Sequence, residues 1–257
     1  MPIYDVPTSL NHGFDNLPVP TRYTLGLDLG KMSDYSALAI ASERPERTDL
    51  ILGKARLVPY WADDPSYDLP WLQRWPLRTP YQTIAEDVAK RVAVLSGNTA
   101  NEVSLYVDGT GVGTAVVEIL RQQEAIKVMG ERFKIVTITA GREVTQVTGG
   151  WHVAKGELVS VAQVALQRGR LNVAPRLPEA RTLRDELGTF EVTLTEAANA
   201  TFSHRDGKHD DLVLAVALAL WGARQRPNYS YTFSYLGQRR GDIPQYGNGV
   251  RPYGPRR

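Results

Sequence analysis

A short apolar run near the start of the chain carries a single carboxylate. Residues 23–30 read Tyr-Thr-Leu-Gly-Leu-Asp-Leu-Gly, and a short, mostly apolar run that ends in glycine predicts a buried strand entering a turn. Burying an unpaired charge is costly, so Asp28 needs an explanation. Either it caps the turn at the strand end, half in water, or it holds a cation. One strand does not decide between these.

The composition excludes several classes of protein. No apolar run reaches the roughly 18 residues that a membrane span needs, so we expect no membrane partner, and the N-terminus shows no signal-peptide pattern. The sequence has no cysteine, which excludes disulfides, thiolate zinc sites and cysteine nucleophiles and fits a reducing compartment. With 257 residues, the chain can form one large domain or two small ones.

The apolar patterns predict an α/β fold with a mixed sheet flanked by helices. Three strands with short connections favour an antiparallel meander, at 23–28, 36–42 and 50–59. An irregular Trp-, Pro- and Asp-rich connection is expected at 60–80. The alternation that follows implies parallel strands with right-handed crossovers, with helices at 83–95 and 112–123 and strands at 103–108 and 133–139.

The later part of the chain is predicted to be mainly helical. Helices are expected at 156–167 and 178–187, with a short extended piece at 170–173 before the second. Residues 190–195 and 200–203 are expected to form an extra C-terminal hairpin. A strong final helix begins at His209 and runs apolar to Trp221.

Composition suggests three segments. Residues 1–20 form a lead-in, 21–225 form the folded domain, and 226–257 form a flexible tail rich in Tyr, Gly, Pro and Arg. The tail has six Arg and one Asp, a net +5, and because the whole chain is +2 the body is near −3. Arg239 and Arg240 in the tail are candidates for phosphate contact. The alternative is a tether without DNA affinity.

Acidic residues lie at three positions that the fold could bring together. Asp28 and Asp108 each end a predicted strand, and neighbouring parallel strands would place them side by side where open sheets bind ligands. Asp210 and Asp211 open the final helix, which must pack on the sheet. Each motif alone is weak, because an Asp pair at a helix start is more often a cap. Together, these oxygen ligands suit Mg²⁺ or Mn²⁺, and two such ions can drive phosphodiester cleavage by water.

Several motifs resemble the nuclease domain of tailed-bacteriophage large terminase subunits, in the ribonuclease H-like and retroviral integrase-like superfamily. The similarity spans roughly residues 21–224 and rests on these stretches: Leu-Gly-Leu-Asp-Leu-Gly around Asp28, Tyr-Val-Asp-Gly-Thr-Gly-Val-Gly around Asp108, residues 151–158, residues 183–190, and His209-Asp-Asp-Leu-Val-Leu-Ala-Val-Ala-Leu-Ala.

The resemblance implies a ribonuclease H-like fold and a two-metal endonuclease that cleaves double-stranded DNA with little sequence preference, using water as the nucleophile. Asp28, Asp108 and Asp211 would be the metal ligands for two Mg²⁺ or Mn²⁺ ions, and Asp210 an auxiliary ligand or supporting group. Asp34 matches an acidic position of the family motif. His209 would orient Asp211 or a water.

The resemblance also implies partners in viral genome packaging: a packaging ATPase, a small terminase and a portal. The expected location is the host cytoplasm rather than the mature virion. The sequence departs from a complete large terminase, because it contains no Gly-x-x-x-x-Gly-Lys-Ser/Thr loop. The Gly-rich stretch after Asp108 lacks the lysine that would reach phosphates. The resemblance therefore supports cutting and not translocation by this chain.

Two basic residues near the expected site are candidates for phosphate binding. Lys155 precedes a predicted helix, and Arg142 follows the strand at 133–139. The alternatives are a solvated surface lysine and a surface salt bridge. Three rival functions stay open: a Holliday-junction-resolvase-like nuclease, an actin-like or sugar-kinase-type ATPase, and a non-catalytic DNA-binding packaging subunit.

Overall fold

The computed structural model describes residues 20–30, 34–51, 56–141, 143–197 and 209–226. Within these residues the strands are β1 (Arg22–Asp28), β2 (Ser36–Glu43), β3 (Arg47–Ile51), β4 (Arg56–Tyr60), β5 (Tyr67–Trp75), β6 (Glu102–Asp108), β7 (Phe133–Thr139), β8 (Val144–Val147), β9 (Gly150–Ala154) and β10 (Leu171–Val173). The helices are α1 (Tyr81–Ser96), α2 (Thr114–Gln122), α3 (Glu124–Lys127), α4 (Lys155–Gln167), α5 (Ala180–Ala197) and α6 (Asp211–Arg224), with a 3-10 turn at Gly130–Arg132.

Eight of the described strands form one mixed sheet in the order β10-β5-β2-β1-β6-β7-β9-β8. The pairs β5–β2 and β2–β1 are antiparallel, whereas β1–β6 and β6–β7 are parallel. This is an antiparallel meander continued by parallel strands, so the predicted ribonuclease H-like α/β fold is confirmed. The expected five-stranded core is extended by three further strands at the two edges.

The third strand of the meander was predicted at the wrong place. The stretch 50–59 does not join the main sheet; β3 and β4 instead pair with each other in a separate two-stranded sheet. The partner of β2 is β5, which lies inside the expected irregular connection at 60–80. Its Pro70 falls where the β2–β5 register shifts, between the pairs Ile40–Trp71 and Ser42–Asp68. Such an irregularity tolerates a residue without an N–H.

The predicted C-terminal hairpin is also wrong in its first strand, because residues 190–195 belong to helix α5. Its second strand, 200–203, lies outside the described residues. The β-branched residues of this stretch favour a strand locally, but propensity is a weak guide that context overrides. The sequence pattern also did not reveal β8 and β9, which extend the sheet beyond β7.

Helices cover both faces of the sheet and enclose two hydrophobic cores. Helices α1, α2 and α3 pack on one face, against alternate residues of β1 and β6 such as Leu25 and Leu105. Helices α4, α5 and α6 pack on the other, where Tyr106 meets Trp221. Residues 211–222 of α6 are all buried, because the helix lies between the sheet and α4. No helix in the described ranges is long and apolar enough to span a membrane.

Most residues of two predicted segments, the lead-in and the tail, are not among those that the structure describes. Residues 1–19 of the expected lead-in and residues 227–257 of the expected tail are not described, so the proposed segment boundaries stay predictions. Arg226 is the last described residue. It is held at the N-terminal end of β1 by a hydrogen bond that its Nη2 donates to the carbonyl of Tyr23, at 2.5 Å.

Candidate metal centre

The alternation of side chains along β1 places Asp28 on the face that α6 covers. Leu25 and Leu27 point into the core beneath α1, so Gly26 and Asp28 lie on the opposite face. At Gly26 the backbone of α6 comes so close that a Cβ atom would lie 2.5 Å from the Ala219 nitrogen. Asp28 therefore ends its strand directly beside the first turns of α6, and it is only 7% exposed.

Asp108 reaches the same place from the neighbouring strand. The parallel β1–β6 register pairs Leu27 with Val107, so the next residue of each strand is an aspartate. Asp108 shares its face with Tyr106 and is 8% exposed. The backbone N–H of Thr110 donates to Asp108 Oδ1 at 2.8 Å. The prediction that the two strand-end carboxylates lie side by side is confirmed by this geometry.

Burial raises the pKa values of both strand-end acids. Burial is the main cause of a pKa of Asp28 well above its usual range, and the charges of Asp108 and then Asp211 raise it further. The pKa of Asp108 is also raised by burial, against the lowering effect of its hydrogen bonds from Thr110. The neighbouring side chain of Asp28, in contrast, contributes to lowering the pKa of Asp108. Such a pair favours either a shared proton or a bridging cation.

Helix α6 contributes the third carboxylate. Asp211 is its first residue and is 5% exposed. Burial, opposed by His209 and reinforced by Asp210, raises the pKa of Asp211 to about 6. Within the described structure its Oδ2 atom is buried and has no hydrogen-bond partner. A buried carboxylate oxygen without a donor is costly, and a cation is the group that would satisfy it.

The neighbouring Asp210 does not cap helix α6 with its side chain, although its position at the helix start suggests that role. It stands at the N-cap of α6, but among the described residues its side chain makes no capping hydrogen bond. Its Oδ2 instead accepts a hydrogen bond from Lys155 Nζ at 2.7 Å. Lys155 is thus not simply a solvated lysine: its charge lowers the pKa values of Asp28 and Asp108.

His209 borders the site in the position expected of a supporting group. Its Nδ1 lies 3.8 Å from Asp211 Oδ2, and its ring packs edge-to-face on Tyr35 with centroids 4.8 Å apart. His209 is partly exposed, so it lies between the buried carboxylate and solvent.

The remaining candidates are not among the described residues of this cluster. Asp34 is exposed beside a shallow depression that Gly30 and Arg78 help to line, and in the described part of the chain no contact joins it to the three buried aspartates. Arg142, Arg239 and Arg240 lie outside the described residues. Their roles stay predictions.

Sequence reasoning missed Glu186 and Arg74. Glu186 of α5 is 7% exposed, and its Oε2 accepts hydrogen bonds from the backbone N–H groups of Leu212 and Val213 in α6. Arg74 of β5 pairs with its other oxygen. Burial, followed by the charge of Asp211, raises the pKa of Glu186 to about 7. Glu186 lies within residues 183–190, one of the stretches that carry the family resemblance. Its place in that stretch was the one signal in the sequence that could have identified it.

The donor atoms of these residues suit a divalent cation, but their side chains do not form a complete coordination geometry. The donors are all carboxylate oxygens, which suit Mg²⁺ or Mn²⁺, and they include the unsatisfied Asp211 Oδ2. However, no three acidic or histidine side chains of the described residues stand close enough together to form a ready set of metal ligands. Without a cation between them, repulsion keeps buried carboxylates apart or protonated.

Comparison with known proteins gives similarity at the level of structure. No family model and no curated protein matches the sequence. Among solved structures, the large terminase nuclease from thermophilic phage G20c matches with 20% identity and a TM-score of 0.40, over 77% of this chain and 81% of that one. The human cytomegalovirus terminase nuclease domain, Mn soaked, matches with 16% identity and a TM-score of 0.41, over 83% and 87%.

A third solved structure is the large terminase (g2p) nuclease domain of bacteriophage SPP1 with bound Mn, at 11% identity and a TM-score of 0.39, over 83% of this chain and 90% of that one. The solved structures that this chain resembles are thus terminase nuclease domains.

Proposed function

We propose that this chain is a divalent-metal-dependent endonuclease that cleaves double-stranded DNA with little sequence preference during viral genome packaging. The observation that carries the proposal is the burial of three aspartates from separate elements whose charges act on one another. Asp28 and Asp108 end adjacent parallel strands, and the charge of Asp211 from α6 acts on Asp28. A fold maintains such costly burial of like charges where a cation offsets it.

The three carboxylates would divide the binding of two Mg²⁺ or Mn²⁺ ions. Asp28 is affected by the charges of both other aspartates, so we assign it as the ligand that the two ions share. Asp108 would hold one ion and Asp211 the other, with Asp210 in support. When bound, such ions activate a water and stabilise the leaving oxygen of the phosphodiester.

Residues around the carboxylates would prepare them for this role. The Thr110 N–H orients one oxygen of Asp108, which leaves the second for a cation. Lys155 favours the ionised forms of Asp28 and Asp108, the forms that bind metal. His209, whose Nδ1 lies 3.8 Å from Asp211 Oδ2, would orient that carboxylate. The expected partners are duplex DNA, a packaging ATPase, a small terminase and a portal.

Plasmid cleavage tests the proposal directly. Supercoiled and linear duplex DNA would be incubated with the protein and Mg²⁺, Mn²⁺ or EDTA. We expect cleavage only with a divalent ion, and none by Asp28→Ala or Asp211→Ala variants that keep the wild-type circular dichroism spectrum. Asp185→Asn, an exposed carboxylate on α5, is the matched control and should cut normally. Cleavage in EDTA, or full activity in either alanine variant, would contradict the assignment.

A branched substrate in the same assay separates this function from its nearest rival. A junction resolvase would cut a four-way junction and leave linear duplex intact. We expect comparable cleavage of both substrates, since nothing in the proposed cluster depends on a branch point.

A further inference from the structure

The backbone amides that open α6 are capped by a side chain from a different helix. Glu186 Oε2 accepts hydrogen bonds from the N–H of Leu212 at 3.0 Å and of Val213 at 3.3 Å. These are two of the amides that a helix start leaves without an intrahelical partner. A carboxylate at this end also interacts favourably with the helix dipole. Glu186 thus attaches α5 to the turn that carries Asp211.

The second oxygen of Glu186 is engaged as well. Arg74 Nη1 donates to Glu186 Oε1 at 3.1 Å, and the Arg74 guanidinium lies over the ring of Tyr35, 4.3 Å from its centroid. Tyr35 in turn contacts His209. Because both Glu186 oxygens already have partners, the geometry fits a supporting group and not a metal ligand.

Because Glu186 caps α6, neither Asp210 nor Asp211 has to cap this helix. An Asp at the start of a helix ordinarily caps it with its own side chain, but Asp210 is turned toward Lys155 instead. Asp211 keeps one buried oxygen without a hydrogen-bond donor in the described structure. The cap that a local carboxylate would supply comes from Glu186, so the two helix-start carboxylates stay available to the site.

We propose that Glu186, held by Arg74, is a positioning residue that fixes the first turn of α6 and so places the Asp211 carboxylate for metal binding. The inference rests on the proposed metal-dependent nuclease. Groups that orient metal ligands in this way change metal affinity by about 10- to 100-fold when removed.

Calorimetric titration of Mn²⁺ into the metal-free protein, well below its unfolding temperature, tests the proposal without relying on activity. Glu186→Ala should bind Mn²⁺ about 10-fold more weakly, and its kcat for DNA cleavage should fall while KM for DNA stays unchanged. Glu186→Gln keeps an oxygen for the two amides and should lose less. Arg74→Met removes the ion pair with Glu186 while leaving Glu186 in place, and it should also lower the affinity.

Leu183→Ala provides the matched control, because Leu183 is a buried residue of the same helix whose apolar side chain cannot hydrogen-bond to the α6 amides. It should lower the unfolding temperature and leave Mn²⁺ affinity unchanged. Wild-type Mn²⁺ affinity in Glu186→Ala would overturn the proposal. If that variant does not fold, wild-type affinity in both Glu186→Gln and Arg74→Met would overturn it. An equal loss of affinity in Leu183→Ala would reduce Glu186 to a general structural role and overturn it too.

The Asp211→Ala variant distinguishes failure of this inference from failure of the proposed function. If Asp211→Ala binds Mn²⁺ like the wild type, the metal centre itself is wrong. If Asp211→Ala loses affinity and the Glu186 and Arg74 variants do not, the metal centre stands and only the positioning role fails.

Discussion

Gly26 of β1 lies directly beneath Ala219 of α6, so close that a Cβ atom at Gly26 would be 2.5 Å from the Ala219 nitrogen and closer still to the carbonyl oxygen of Ala215. Real side chains do not approach backbone atoms so closely. The absence of a side chain at Gly26 therefore sets the distance between α6 and the strand that ends in Asp28. The same helix passes over β6, where Gly222 packs on the Tyr106 ring.

We predict that Gly26→Ala destabilises the protein by at least about 2 kcal/mol, because overpacking a buried contact with backbone atoms cannot relax through a side-chain movement. It should also reduce cleavage, since α6 carries Asp211. Thermal unfolding and plasmid cleavage measure the two effects. Gly188→Ala is the control: it lies in α5 with open space around it and should gain about 0.5–1 kcal/mol. Equal stabilities of the two variants would contradict the close approach.

The raised pKa of Asp211 predicts an unusual pH dependence for the metal-free protein. A carboxyl whose pKa is about 6 when folded and near 4 when unfolded binds its proton more tightly in the folded state. Stability therefore falls as pH rises from about 4 to about 6, by on the order of 2 kcal/mol for this group. Asp211→Asn removes this loss, so above pH 6 it should be more stable than the metal-free wild type.

Urea unfolding between pH 4 and 8 in EDTA checks this dependence, with Asp185→Asn as the exposed control. Added Mn²⁺ should reverse the order, because the wild type gains binding energy that Asp211→Asn lacks. An Asp211→Asn variant that is no more stable than the metal-free wild type above pH 6 would contradict a raised Asp211 pKa.

We predict that Lys155 lowers the pH at which activity is lost on the acid side of the pH–rate profile. Its charge lowers the pKa values of Asp28 and Asp108, and metal binding needs ionised carboxylates. Lys155→Ala should therefore shift the acid limb of the Mn²⁺-dependent pH–rate profile to higher pH, while Lys155→Arg shifts it less. Lys134→Ala, which removes a lysine paired with the exposed Glu131, should leave the profile in place. An unshifted profile in Lys155→Ala would assign the lysine to a purely structural pair with Asp210.

We predict that Arg226 anchors the C-terminal end of α6 at the N-terminal end of β1, the end of the strand opposite to Asp28. Its largely buried guanidinium hydrogen-bonds to the Tyr23 carbonyl and the Ser104 hydroxyl and lies 3.8 Å from Glu102. Removing one partner of a buried ion pair costs about 3–5 kcal/mol, so Arg226→Met should lower the free energy of unfolding by about that amount.

Chemical denaturation measures that loss, and two further variants test its cause. Arg224→Met changes an exposed arginine of the same helix and should have little effect. In Arg226→Met, the carboxylates of Glu43 and Glu102 share the single cation Arg22. Adding Glu102→Gln should restore part of the stability, because Arg22 and Glu43 then remain as a balanced pair. No restoration would mean that the loss comes from packing and not from charge.

The local sequence pattern alone was enough to predict β1 and β6, the strands that end in Asp28 and Asp108. The apolar runs of β1 and β6 are buried on both faces by helices, so burial leaves a continuous hydrophobic signature that sequence shows directly. The carboxyl ends of parallel strands share one edge, which made the pairing of Asp28 with Asp108 predictable. The start of α6 was equally visible, because an acidic pair precedes a long apolar run.

The tertiary structure decided what depends on partners distant in sequence. Strand β5 was not recognised because Pro70 interrupts its pattern, and only its pairing with β2 around a register shift makes it a strand. The continuation of α5 through residues 190–197 overrides the local preference of its β-branched residues.

The sequence was enough to predict which carboxylates the proposed site would use, because each stands at the end of an element that its own neighbours in sequence define. It could not determine how they are held. Asp210 has the sequence of a helix cap, yet the cap is Glu186, which is far from α6 along the chain and adjacent to it only after folding. Hydrogen bonds of this kind depend on packing between elements, and packing is a property of the folded chain and not of any local stretch.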